Sequence, residues 1–310
     1  MGKRVYGQVA LLMAGIVVLS AVITLLTGTA QHGKAKTRIV ASFYPVYVAA
    51  LNLTQGIDDV ELVSLTGPQT GCLHDFQLSP DNMITLSQAD VLVINGAGAE
   101  AFLDGARSQF PELPVVDAST GIPLLESGHV HEHEDGEVHE ELVNEHIWTS
   151  PSRYYRQVEN LRDGLCEADS AHAAQYRDNA ARYLAKIEEI RTAFAETAAS
   201  LPFDGCILFH ESLRYFADDL SLTPLASLPI GEDAGVAAAD LAAAQQAAAA
   251  AGQVWLLYDS QYDLAYEDIA DSAADGRILQ LDMGVVGKEE PDAWLNAMRE
   301  NLRKLRGETA

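Results

Sequence analysis

From Arg38 onward the chain alternates short apolar runs with helix-forming stretches, and it does so twice. RIVASF (Arg38–Phe43), Val60–Thr66, Ala89–Asn95 and Leu113–Asp117 read as strands, each bounded by polar or glycine-containing breaks. Helices are expected over Pro45–Leu53 and Ala101–Gln109. Another should open at Ser79-Pro80, where a serine cap precedes a proline suited to the first helical position. Strands alternating with helices over short loops predict a parallel sheet with helices on both faces. The pattern restarts with strands over Cys206–Phe209, Leu222–Ser227, Gln253–Tyr258 and Arg277–Leu281. Helices are expected at Glu211–Leu220, at Val236–Ala251 and from Pro291, where Trp294, Leu295, Met298, Leu302 and Leu305 share one face.

Between the two series lie helices from Ser150-Pro151 to Cys166 and from Ser170 to Ser200. The second carries an apolar stripe at Tyr176, Ala180, Tyr183, Leu184, Ile187, Ile190 and Phe194. A helix of about thirty residues is roughly 45 Å long, the size of a whole lobe. The expected fold is therefore α/β, two parallel-sheet lobes joined by one long rigid helix. A ligand site belongs in the cleft between them, outside the carboxyl ends of the strands. The expected boundaries are 38–167 for the first lobe, including an acidic loop at 128–143, then 168–200 for the connector and 201–310 for the second lobe.

Residues 1–30 stand apart. Lys3 and Arg4 precede an apolar run from Val9 to Leu26, and Gly28-Thr29-Ala30 resembles a cleavage site. The run suits a long signal peptide or a short membrane span. Either places the globular part outside the cytoplasm, and with no cysteine in or just after the run, lipid attachment at a cleaved cysteine is excluded. The net charge of −25 opposes binding to nucleic acid or anionic lipid and concentrates cations instead. In an oxidising compartment the three cysteines, Cys72, Cys166 and Cys206, leave at least one unpaired, and sequence assigns no pair. Cys72 could also serve as a thiolate ligand.

Five of the nine histidines lie in GHVHEHEDGEVHEELVNEHIWTSP, Gly128–Pro151. Imidazole and carboxylate together suit a borderline divalent cation such as zinc. For His129, His131, His133 and His139, composition leaves two readings open: weak auxiliary ligands, or incidental residues of a mobile acidic loop. Three histidines satisfy a stricter test, a place in a loop that follows a strand or opens a helix. They are His74 in CLHDFQLSP, His146 in HIWTSP and His210 after CILF; Asp282 in LDMGVVG follows a strand of the second series. His172 and His32 fail the test and are expected at the surface. Four protein ligands would close a tetrahedral zinc site and leave no activated water, which points to binding and not hydrolysis.

Residues 38–310 resemble the metal-binding solute proteins of ABC importers for zinc and manganese, the ZnuA-type family. The resemblance rests on SFYPVY (Ser42–Tyr47), HDFQLSPDN (His74–Asn82), ADVLVINGAGAEAFL (Ala89–Leu103), HIWTSP (His146–Pro151), FHESLRYFADDLSL (Phe209–Leu222) and LQLDMGVVG (Leu279–Gly287). It implies two α/β lobes joined by a rigid helix, and a metal site of His74, His146, His210 and Asp282. It also implies a permease and an ATPase as partners. Two departures occur: Leu73 stands where the family commonly has proline, and Asn144-Glu145 where it has Asp-Pro. Histidine at the third ligand position accompanies zinc and glutamate accompanies manganese, so His210 favours zinc, while Glu211 keeps manganese in play.

The expected function is thus an extracytoplasmic, monomeric zinc receptor that delivers Zn2+ to an ABC permease. The same importer class with manganese is the first alternative. A zinc-dependent hydrolase with Asp282 or Glu211 as base, or a metal-binding surface adhesin, are the others. The chain has neither HExxH nor a nucleophile elbow, which weighs against hydrolysis. A receptor without a lipid-bearing cysteine would diffuse from a single-membrane cell, so Val9–Leu26 is expected to stay as an anchor. Native protein should pellet with membranes and carry the full intact mass; a mass beginning at Gln31 would show cleavage instead.

Overall fold

The computed structural model describes residues 36–68, 73, 76–127, 130–132, 138–140, 143–230 and 236–308, and Thr37–Ala310 forms one compact unit. Strands β1 (Thr37–Ala41), β2 (Val60–Ser64), β3 (Val91–Ile94) and β4 (Val115–Asp117) make a parallel sheet in the order β2-β1-β3-β4. Ile39, Val40 and Ala41 of β1 and all four residues of β3 are buried, as central strands covered on both faces require. Within the acidic run, β5 (Val130–Glu132) and β6 (Val138–Glu140) pair antiparallel, with His131 opposite His139. The valines that interrupt the charges supply strand-forming positions, so this loop carries a short ladder that its polar composition did not suggest.

The second sheet comprises β7 (Gly205–Leu208), β8 (Thr223–Ser227), β9 (Gln253–Asp259) and β10 (Asp275–Leu281), parallel in the order β10-β9-β7-β8. Counted from its own first strand, it repeats the order of the first sheet. In each, the opening strand lies between the second and third, and the fourth lies beyond the third. The winding therefore reverses at β1 and at β7, and the crevice beside their carboxyl ends is where such sheets accept ligands.

Helix α1 (Tyr44–Thr54) follows β1 and is buried almost all round. Ser79 caps α2 (Pro80–Ser87) through a reciprocal pair: its Oγ accepts the Asn82 N–H at 3.2 Å, and Asn82 Oδ1 accepts the Ser79 N–H at 2.8 Å. The helix expected over Ala101–Gln109 is a 3₁₀ turn, Ala101–Leu103, running into the short α3 (Asp104–Arg107). Ser150 caps α4 (Pro151–Ala168), accepting the Arg153 N–H at 3.1 Å. The stretch over Glu211–Leu220 likewise divides into a 3₁₀ turn, Glu211–Leu213, and α6 (Arg214–Asp219), which come after α5 (Ala173–Ala198). The remaining helices are α7 (Ala238–Ala251) and α8 (Ala293–Leu305).

The 26 residues of α5 span about 39 Å, and all seven positions of the predicted stripe are buried. Toward the first sheet, Asn179 Nδ2 donates to the carbonyls of Leu53 and Gln55 at the end of α1. Toward the second, Phe194 meets Phe216 edge-on at 5.3 Å, and Lys186 pairs with Asp292 at 2.8 Å. A single hydrophobic core joins Leu53, Leu161, Ile187, Phe216 and Trp294 across both sheets.

His172 is buried, contrary to expectation. It caps the approach to α5, with its Nδ1 2.7 Å from Asp169 Oδ2, and the same carboxylate accepts the Tyr176 hydroxyl at 2.9 Å. The tight turn between α4 and α5 folds the ring back onto Asp169. Cys166 and Cys206 are both free; Cys72 and His32 lie outside the described residues. The segment 1–30 lies outside them too, and among the described residues no helix is long and apolar enough to cross a membrane.

Trp294 ties the halves together. Its ring stacks on Tyr154 at 4.0 Å, and its Nε1 donates to the Trp148 carbonyl at 2.9 Å. Trp294→Ala should destabilise the fold by about 3–5 kcal/mol. Trp294→Phe, which keeps most of the packing and orphans the carbonyl, should cost about 1–3 kcal/mol. Urea unfolding measures both, and an unchanged stability in Trp294→Phe would mean that the hydrogen bond contributes nothing.

Candidate metal centre

β7 ends at Leu208, and two residues on, His210 has extended backbone and caps the 3₁₀ turn Glu211–Leu213. Its Nδ1 accepts the Ser212 N–H at 3.0 Å, and the Ser212 hydroxyl donates to Asp259 at the end of β9 at 2.8 Å. Asp259 also accepts the backbone N–H and side-chain amide of Gln261. Burial pushes the Asp259 carboxyl up to about 6 against the pull of those hydrogen bonds, and the charge of Asp282 adds to the rise. Tyr262 completes this corner. Its hydroxyl is 3.2 Å from His210 Nε2, and the two rings lie 4.8 Å apart.

His146 precedes the 3₁₀ turn Ile147–Thr149 that leads into α4. Its Nδ1 is 3.0 Å from Asn144 Oδ1, which also accepts the His146 backbone N–H at 2.9 Å. The Asn144 amide nitrogen donates to the Glu211 carbonyl and to Glu211 Oε2, so its oxygen must be the acceptor. The proton of a neutral His146 ring therefore sits on Nδ1, and Nε2 carries the lone pair that a metal ligand needs. Glu145 Oε1 lies 3.6 Å from that nitrogen. The rings of His146 and His210 meet edge to face at 5.4 Å, each only 2% exposed. The histidines of HIWTSP and FHESLRYF, one following each sheet, thus come together.

Asp282 opens the loop after β10. Its backbone is clamped on both sides by the Asn301 amide, at 2.9 and 2.7 Å, and its Oδ1 accepts the Gly284 N–H. Three contacts fix this loop against the first lobe. Trp148 Nε1 donates to the Met283 carbonyl at 3.0 Å, the Gly287 N–H to the Pro68 carbonyl at 3.1 Å, and the Tyr44 hydroxyl to the Lys288 carbonyl at 2.6 Å. A Cβ on Gly287 would lie 2.4 Å from Tyr44 Oη, so only glycine permits that approach. Burial first, then the charges of Asp282, Glu290 and Glu289, push the Tyr44 hydroxyl up to about 12.

His74, His129 and His133 lie outside the described residues, and His131 and His139 occupy paired positions in β5 and β6. Among the described residues no three His, Cys, Asp or Glu side chains are grouped closely enough to hold an ion. The structure adds residues that sequence reasoning passed over. Asn144 entered it only as a departure from the family, yet it orients His146. An Asn two residues before a candidate ligand, placed to form an Asx turn, was the available signal. The second is Tyr262. The third is a buried network in which Glu100 accepts from the Ser42 hydroxyl at 2.7 Å and from the N–H groups of Asn95 and Gly96. Asn95 Nδ2 in turn donates to the carbonyl of Glu145, next to His146. Ser42, Phe43 and Tyr44 each hold a different motif: Glu100 by hydrogen bond, Trp148 by an edge-on ring contact at 5.1 Å, and the Lys288 carbonyl.

The family model described as "Zinc-uptake complex component A periplasmic" (ZnuA) matches residues 39–307. The chain belongs to the ZnuA family. It is 24% identical over 293 residues to the "High-affinity zinc uptake system protein ZnuA" of Bacillus subtilis, covering 90% of this chain and 89% of that protein. It is also 24% identical over 291 residues to the "Zinc-binding protein AdcA" of Streptococcus pyogenes serotype M3, covering 88% of this chain. That match spans only about half of the streptococcal protein, 56% of its length. Among solved structures, "SBP FpvC" from Pseudomonas aeruginosa in complex with Mn2+ superposes with a TM-score of 0.73 at 21% identity, covering 87% of this chain and 97% of FpvC. The two repeated parallel sheets are thus the fold of this ZnuA-family chain.

Glu100 gives that frame a pH signature. Burial pushes its carboxyl up to about 7, against the hydrogen bonds from Ser42, Asn95 and Gly96. The folded chain therefore holds a proton that the unfolded chain releases near 4.5. Stability from this group is full below that value and is lost as pH rises through about 7. Glu100→Gln removes the slope. Relative to the parent, the variant should gain on the order of 2 kcal/mol between pH 5 and pH 8 in urea unfolding. A difference independent of pH would refute the assignment.

Proposed function

We propose that the chain is an extracytoplasmic receptor that binds Zn2+ between its two sheets and delivers it to the permease of an ABC importer powered by an ATPase. One observation carries the reading. His146 is held by Asn144 in the tautomer that leaves Nε2 a lone pair, and it meets His210 from the other lobe at 5.4 Å in a buried crevice. Membership of the ZnuA family and the names of its relatives support it. The proposed ligands are His74, His146, His210 and Asp282. Neutral imidazoles with one carboxylate suit zinc in a tetrahedral site, and the histidine at 210 favours zinc over manganese. A sphere closed by four protein donors has no place for an activated water, so the role is that of a receptor and not an enzyme.

The remaining features fit that role. A net charge of −25 raises the local concentration of cations around a monomeric receptor. His129, His131, His133 and His139 form a weak auxiliary station. It is tethered just before His146, so an ion held there is at high effective concentration for the main site. Val9–Leu26 anchors the chain at the outer face of the membrane.

Chelator competition tests the site. The parent should hold one Zn2+ tightly, and His74→Ala, His146→Ala or His210→Ala should each weaken binding more than 100-fold. Asn144→Ala should weaken it about 10- to 100-fold by releasing the His146 ring. His172→Ala should lower thermal stability and leave zinc affinity unchanged, because its bonds are to the α4–α5 turn. Equal affinity in His210→Ala and the parent would remove His210 from the site.

A further inference from the structure

The two facing histidines are held in opposite ways. At His146 the partner of Nδ1 is an acceptor, Asn144 Oδ1. At His210 the partner of Nδ1 is a donor, the backbone N–H of Ser212 at 3.0 Å. Nδ1 of His210 therefore carries no proton, and the neutral ring carries its proton on Nε2. Tyr262 Oη lies 3.2 Å from that nitrogen, in place to accept it. A protonated Nε2 has no lone pair to give an ion.

We propose that Tyr262 and the Ser212 N–H form a latch that holds His210 in its non-ligating tautomer, and that zinc loading must break it. The proposal rests on the receptor reading above. For Nε2 to ligate, the ring proton must move to Nδ1, where it would meet the Ser212 N–H head-on. The imidazole stays neutral, its proton passing from one ring nitrogen to the other, and it has to leave the Ser212 N–H and the Tyr262 hydroxyl together. A single buried carboxylate supports both halves of the latch. Asp259 accepts the Ser212 hydroxyl at 2.8 Å, and it accepts both N–H groups of Gln261, the residue before Tyr262. Tyr262 is thus a positioning residue that sets how readily the site takes up and gives up its ion.

Full-length parent and Tyr262→Phe are compared by zinc–chelator competition and stopped-flow uptake with zinc salt. Nitrogen-15 spectra of the imidazole rings are recorded before and after zinc. Phenylalanine keeps the ring against His210 and removes the acceptor, so zinc affinity should rise about 3- to 10-fold, with faster uptake. In the zinc-free parent the His210 proton should be on Nε2, and after zinc on Nδ1. Unchanged or weaker affinity in Tyr262→Phe, or an Nδ1-protonated His210 before zinc, overturns the latch while the parent's own binding upholds the receptor reading. A parent that takes up no zinc overturns the receptor reading and the latch with it. Should Tyr262→Phe not fold, the parent's tautomer before and after zinc decides alone.

Discussion

The arrangement depends on Trp148. Its indole N–H reaches the Met283 carbonyl, and its own carbonyl receives the Trp294 indole N–H, so one residue is bonded twice to the second lobe. Its ring meets Phe43 edge-on and stands 5.2 Å from that of His146. Buried donors and acceptors of this kind are costly to leave unmade. Displacing the Asp282 loop, the α8 helix or the HIWTSP turn therefore disturbs the other two. The crevice is defined by this exchange of hydrogen bonds more than by either sheet.

Around that joint the two halves solve one problem in the same way. At the switch point of each sheet a buried serine hydroxyl donates to a buried carboxyl: Ser42 to Glu100 at 2.7 Å, and Ser212 to Asp259 at 2.8 Å. Both carboxyls are raised by burial and steadied by N–H donors from neighbouring loops. The frame is repeated, but the imidazoles are not equivalent. One is presented by an asparagine acceptor, and the other is held by a backbone donor and a phenol.

Most of the fold was legible because its signals are local. Alternation of apolar runs, Ser-Pro helix starts and the stripe along α5 are set by neighbours within a turn or two. Less legible were features settled by contacts distant in sequence. His172 looked like a surface residue because nothing nearby in composition announces that Asp169 and Tyr176 converge on one point. Asn144 looked like a substitution in a loop because its role requires Glu211, 67 residues away. The β5–β6 ladder was hidden by acidic composition, which outweighs two valines in any average. His146 and His210 were readable as a pair of candidates. Their opposite hydrogen-bond polarity was not, since it depends on backbone direction at Ser212.

The core that runs beneath both sheets has a dynamic consequence. Protein regions open at a free energy set by how much packing each opening gives up, and segments sharing one core open only together. Here α5 is packed against α1 and α4 on one side and against α6 and α8 on the other, in a single apolar cluster. Swinging the lobes apart would expose that cluster and give up the packing it holds. Low-energy breathing is left to segments and side chains that lie outside that cluster. The long helix is the fixed spine of that core, and local rearrangements occur against it.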